Sequence, residues 1–201
     1  MKFVKILGFA VGLGLMVSSS AMAQSLVLGQ PQYGGNGCPA GSASATVSPD
    51  GSAVSILFDQ YIAEAGSTTG RRIDRKTCNL AVPIQVPQGY SVAIFRVDYR
   101  GFNAVPAGGY NRFDVEYFWA GARGPRFSRV FTGPQNSGYS LTDELMATTL
   151  VWSACGAQTN LRINSSMMAQ ANGRMDQTIG TVDSADISSG VIYHLQWRRC
   201  Y

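Results

Sequence analysis

The chain has 201 residues, 45% of them hydrophobic and 14% charged, with 16 Lys and Arg against 12 Asp and Glu. Length and apolar fraction fit one globular domain that buries its own core, and they exclude a disordered or fibrous chain. A formal net charge of +4 is too small for the basic footprint of a nucleic-acid binder, so nucleic acid is not an expected partner.

Residues 1–23 read as a signal peptide. Lys2 and Lys5 form a positive n-region, residues 6–17 are apolar, and Ala21-Met22-Ala23 is a small-x-small cleavage site. The apolar stretch falls short of the ~20 residues that a membrane span needs. No later stretch is long and apolar enough, so no transmembrane segment is expected after cleavage. The expected mature protein starts at Gln24 and is secreted, to the cell exterior or to a periplasm. Losing Lys2 and Lys5 leaves 14 basic residues against 12 acidic ones, a net charge of about +2. Residues 24–37 are expected to form a flexible N-terminal segment, because 30–37 is rich in Gly, Gln and Asn, and 38–201 a single domain.

Beyond the signal, apolar and polar residues alternate and helical periodicity is hard to find. Ala45 and Val47, the turn Pro49-Asp50-Gly51, then Val54, Ile56 and Phe58 predict a hairpin. Pro83 and Pro87 bracket 84–86, which predicts an edge strand or an extended crossing. Ala93, Phe95, Val97 and Tyr99 are expected on one face of a strand, with Arg96, Asp98 and Arg100 on the other. Phe113, Val115, Tyr117 and Trp119 alternate with Arg112, Asp114 and Glu116, and a Gly/Pro turn over 120–125 leads into a strand at 127–131. Further strands are expected around 147–152, at Leu161 and Ile163 with Arg162 and Asn164 opposite, near 178–182, and at Val191, Tyr193, Leu195 and Trp197. Eight or nine short strands without an amphipathic helix predict an all-β fold, an antiparallel two-sheet β-sandwich of jelly-roll or immunoglobulin-like order. Most strands are too short for the alternative, a small outer-membrane barrel.

Cys38, Cys78, Cys155 and Cys200 all follow the signal, and an even count in an oxidising compartment predicts two disulfides. Three connectivities are open, of which Cys38 with Cys78 and Cys155 with Cys200 is favoured. Zinc is disfavoured because there is no C-x-x-C pair and His194 is the single histidine.

Several short strings carry a family resemblance: Gly34-Gly35-Asn36-Gly37-Cys38-Pro39, Ser48-Pro49-Asp50-Gly51, Arg75-Lys76-Thr77-Cys78, Tyr99-Arg100-Gly101, Trp152-Ser153-Ala154-Cys155-Gly156, Leu161-Arg162-Ile163-Asn164 and Gln196-Trp197-Arg198-Arg199-Cys200. In this order and with this cysteine spacing the chain resembles the small secreted proteins of fungi and bacteria grouped as domain of unknown function 4360. Thr77 stands where that pattern has Asn, and Ala154 where it has Pro. The resemblance implies export, a compact β fold and paired cysteines. It carries no activity, so it transfers no catalytic residue.

The inventory of reactive groups is thin, and no catalytic, cofactor-binding or metal-binding residue is assigned. His194 lies on the polar face of the last strand, and no G-x-S-x-G supplies it with a nucleophile. Asp98, Asp114 and Glu116 face outward beside arginines, which suits cross-strand ion pairs better than a glycosidase pair. Oxygen ligands for calcium are conceivable at Asp183, Ser184 and Asp186, or at Asp143 and Glu144, although neither group has the spacing of a known calcium loop. Arg71, Arg72, Arg75 and Lys76 form a candidate anion-binding loop for acidic glycans, lipid headgroups or phosphate, with Asp74 inside it. Tyr110 and Phe118 are the aromatics expected to be exposed. The leading expectation is a non-enzymatic binding or surface-interaction module for glycans or envelope components. A secreted hydrolase using Asp or Glu, or a structural envelope or matrix component, is the alternative.

Overall fold

A computed structural model describes residues 26–183 and 190–201. The expected signal peptide at 1–23 and the candidate calcium ligands Ser184 and Asp186 lie outside the described residues. Seven strands come first: β1 (Val27–Leu28), β2 (Gln32–Gly34), β3 (Ala43–Val47), β4 (Ala53–Phe58), β5 (Ile62–Ala65), β6 (Ile73–Gln85) and β7 (Tyr90–Val105). Six more follow: β8 (Tyr110–Trp119), β9 (Arg126–Thr132), β10 (Gln135–Glu144), β11 (Gln158–Gln170), β12 (Thr178–Thr181) and β13 (Val191–Arg199).

Every pairing between these strands is antiparallel, and the strands form two sheets. The first runs β1-β6-β11-β8-β9, with β2 also on β6, and the second runs β3-β4-β13-β7-β12-β5, with β10 also on β7. The protein is thus an all-β sandwich. Alternation is the reason: in β8 the residues Phe113, Val115, Tyr117 and Trp119 are buried while those between them are not.

Between the sheets lie Tyr61, Tyr99, Tyr117, Tyr193 and Phe113, all nearly inaccessible. Burying each contributes roughly 1.5–3 kcal/mol or more. Two phenols find partners across the sandwich: Tyr117 donates to Asp143 Oδ2 at 2.9 Å, and Tyr61 Oη lies 3.0 Å from Ser165 Oγ. Burial pushes both phenols well above the ordinary tyrosine value. A buried amide pair stitches three strands, since Asn111 Nδ2 donates to Asn103 Oδ1 and to Ile179 O, each at 2.7 Å.

The disulfides are Cys38–Cys78 and Cys155–Cys200, closing separations of 40 and 45 residues. On the loop-entropy account each stabilises by roughly 4 kcal/mol. Cys38–Cys78 ties the N-terminal run to β6. Within the 24–37 segment, expected to be flexible, β1 pairs with Ile84 and Gln85, and β2 with residues 79–81 of β6.

The structure corrects several sequence expectations. Thirteen described strands replace eight or nine, partly because β10, polar and mostly exposed along an edge, lacks the apolar alternation that marks a strand. Residues 84–86 are no separate edge: Ile84 and Gln85 end β6, which pairs with β11 on one side and β1 on the other. Pro83 is tolerated there because its carbonyl accepts from Gly29 N at 2.8 Å, so its missing donor falls on the same side, where β1 ends. Residues 147–152 are no strand either. Ala147–Thr149 is a short 3-10 turn in which the Thr149 backbone and hydroxyl both bond Met146 O, and Trp152 makes one isolated bridge to Ala93.

Candidate functional site

The outer face of the β6-β11-β8-β9 sheet is built by register. Cys78 and Leu80 point inward from β6, so Arg75, Thr77 and Asn79 point outward. Thr77 pairs with Ser166, Ser166 with Asp114, and Asp114 with Ser128, making one outward row. Asn79, Asn164, Glu116 and Arg126 make the next. Arg75 and Arg112, either side of Met168, border the first row on its other flank. These rows line an open groove of about 530 Å³.

Much of the groove is held in place by its own bonds. Arg112 contacts Asp114 Oδ1 at 2.9 Å, and Ser128 Oγ donates to the same oxygen at 2.7 Å. Arg126 Nε lies 3.4 Å from Glu116 Oε1 across the β8–β9 pair. Arg75 donates to Ser166 Oγ at 2.9 Å. Among the described residues, the side-chain amides of Asn79 and Asn164 make no hydrogen bond to the protein. The groove therefore presents guanidinium–carboxylate pairs on β8 and β9 beside two amides, on β6 and β11, whose donors and acceptors face solvent.

The basic segment does not converge on one point. Asp74, only 7% exposed, draws Arg71 Nη1 to 3.2 Å and Lys76 Nζ to 3.5 Å, and also accepts from Glu64 N. Arg75 points the other way, into the groove, and Arg72 is exposed. Alternation along β6 sends Arg75 and Lys76 to opposite faces, while Arg71 and Arg72 precede the strand.

Asp98 lies on the opposite sheet from Asp114 and Glu116, so the three acids do not form one constellation. On the outer face of β7 and β13, His194 Nε2 is 2.7 Å from Asp98 Oδ2 and 3.1 Å from Arg96 Nη2. Thr142 donates to Asp98 Oδ1 at 2.8 Å. Burial pushes the Asp98 carboxyl up, but the Thr142 and His194 hydrogen bonds and the Arg96 charge outweigh it and hold the group below the usual carboxylate range.

A β-bulge explains a misplaced aromatic beside this cluster. His194 pairs with Arg96 and Leu195 with Ile94, which leaves Phe95 as the extra residue of β7. Its ring, expected in the core, is 37% exposed and stands 6.1 Å from the His194 ring. Phe102, also 37% exposed, is the other exposed phenylalanine among the described residues. Tyr110 and Phe118, expected to be exposed, are half-buried. Tyr110 is flanked by Gln170 and Thr132 on paired strands, and the backbone at Gly124 folds over Phe118, leaving no room for a Cβ.

Asp143, a candidate calcium ligand, accepts the Tyr117 hydroxyl instead. Among the described residues no three His, Cys, Asp or Glu side chains gather where a metal ion could sit. No described helix is long and apolar enough to cross a membrane.

Sequence reading placed Arg112, Asp114, Glu116 and Asn164 on outward faces but missed their union with Asn79, Arg126, Ser128 and Ser166. The available signal was alternation alone, and alternation does not say which strands are neighbours.

A family profile described as "Domain of unknown function (DUF4360)" matches residues 24–200. An uncharacterized secreted protein of Arthroderma benhamiae is 36% identical over 169 residues, 84% of this chain and 69% of that one. A solved structure of TmCBM61 in complex with beta-1,4-galactotriose aligns over 84% of this chain and 88% of its own, at 11% identity and a TM-score of 0.28. A likeness at that score carries no weight for what this chain binds.

Proposed function

This chain belongs to the domain of unknown function 4360 family, and from that premise we propose that it is a secreted, non-enzymatic binding module whose β6-β11-β8-β9 face takes a polysaccharide of the cell envelope or its surroundings. One observation carries the reading: a groove of about 530 Å³ in which Asn79 and Asn164 stand unpartnered beside two arginine–carboxylate pairs. Sugar hydroxyls are both donors and acceptors. A surface that reads them needs planar groups of both kinds held in fixed positions, and amides, guanidinium forks and carboxylates supply them. The ordering cost of long side chains has already been met within the free protein, which favours binding.

The same contacts speak against hydrolysis. A glycosidase places its two carboxyl groups on either side of the scissile bond. Asp114 and Glu116 instead project side by side from one strand, with Asp114 Oδ1 held by Arg112 and Ser128 and Glu116 Oε1 facing Arg126.

The test is a pulldown of the oxidised protein on insoluble polysaccharides and cell-wall preparations, repeated with Asn79→Ala/Asn164→Ala. Both side chains lie on the surface of paired strands, so the variant should fold. Losing two neutral hydrogen-bonding groups at ~1 kcal/mol each should weaken saturable binding roughly tenfold or more. Unchanged binding by the double variant would overturn the assignment of the face.

A further inference from the structure

The groove face carries an imbalance of charge that its own pairs do not absorb. Arg112 and Arg126 are matched by Asp114 and Glu116, but two more arginines rise from the same face. Arg75 is exposed and reaches only the Ser166 hydroxyl. Arg162 is exposed too, and its register neighbours are Ala81 on β6 and Phe118 on β8. Among the described residues neither has a carboxylate partner.

Their placement is as telling as their charge. Along β11 the outward positions run Arg162, Asn164, Ser166 and Met168; Arg75 is in register with Met168, and its guanidinium reaches Ser166. Four residues of strand, roughly 13 Å, separate Arg162 from Ser166, with the unpartnered amides of Asn79 and Asn164 between them. A neutral glycan gives a guanidinium little to gain over water, whereas a carboxylate offers it a two-pronged, charge-assisted match. This face already pairs arginines with carboxylates twice, Arg112 with Asp114 Oδ1 and Arg126 with Glu116 Oε1.

Resting on the polysaccharide reading of this groove, we infer that its ligand is an acidic polysaccharide with carboxylates on its sugar rings. Arg75 and Arg162 hold two non-adjacent carboxylates of one chain while Asn79 and Asn164 bond the hydroxyls between. The ring-borne carboxylate is the distinguishing chemistry, and a sulfated chain is the competing polyanion.

Affinity electrophoresis or calorimetry with the secreted, oxidised protein tests this. The probes are polygalacturonate, the same polymer fully methyl-esterified, dextran sulfate, and a panel of neutral polysaccharides. The inference expects binding to polygalacturonate, loss of binding on esterification, and weakening as salt is raised. It also expects about a fivefold loss of affinity in Arg162→Gln, an exposed substitution that leaves the fold intact. Arg75→Lys should lose affinity as well, because an ammonium keeps the charge and loses the fork. Equal binding of the acid and ester forms, or of a neutral polymer alone, overturns the inference and leaves the polysaccharide reading standing. Binding to dextran sulfate without polygalacturonate overturns the carboxylate assignment, and no binding to any of the polymers overturns both.

Discussion

Asp98 shows how a single carboxylate on this scaffold couples to pH. It is held by Thr142, His194 and Arg96, and its carboxyl lies below the usual range despite partial burial. A folded-state value below the unfolded one means the group stabilises the fold above its unfolded value, near ~4, and loses that contribution as pH falls through the folded value. Asp50 acts in the same direction, lowered to about 2 by the Ser48 hydroxyl first and by Ser52, although it is fully exposed in its turn. Urea midpoints should therefore fall as pH drops below about 4, and Asp98→Asn should flatten part of that fall. An identical pH dependence in the variant would show that the cluster does not favour the ionised form. The turn itself was readable from Pro49-Asp50-Gly51, because Gly51 takes a φ of 68° that other residues disfavour. The cluster was not readable, because Thr142 comes from β10, a strand that composition does not announce.

Among elements, β7 explains most of what sequence reading could and could not reach. The expected alternation holds from Arg96 to Arg100, but before it residues 91–94 are all buried, and the bulge at Phe95 moves one aromatic from core to surface without any local sequence mark. Farther along, Gly101 passes so close to Thr181 O and the Tyr139 ring that no Cβ fits, which is why a glycine interrupts an otherwise bulky strand. Just beyond, Asn103 Oδ1 accepts from the amide of Asn111 in β8, which also donates to the carbonyl of Ile179 in β12. Alternation marks Asn111 as inward but cannot supply its partners, since they arrive from strands eight and 68 residues away. Asn111→Ala should strand two buried acceptors and lower stability by about 2 kcal/mol, read as a shift in denaturant midpoint at unchanged slope. A midpoint within error of the parent would mean that water or neighbouring donors replace the amide.

At the scale of the whole molecule, the sandwich and the presence of two disulfides were legible because each rests on a simple regularity: period-two alternation, and an even cysteine count in a secreted protein. The groove was only half legible. β8 and β11 each display a polar face in sequence, yet Asn79, Asn164, Glu116 and Arg126 become one row only when β6, β11, β8 and β9 take their order. That order is set by long-range packing, on which local pattern is silent. Two outer faces result: one carries the groove, the other the Asp98–His194 cluster with exposed Phe95 beside it. The central claim is that recognition belongs to the first. The most direct measurement is an NMR titration of the isotopically labelled, oxidised protein with a short acidic oligosaccharide. The account predicts shifts concentrated at Asn79, Asn164, Glu116 and Arg126, with Arg75 and Arg162 at the margins. Shifts confined to Phe95, Arg96, Asp98 and His194 would place the binding surface on the other sheet and contradict it.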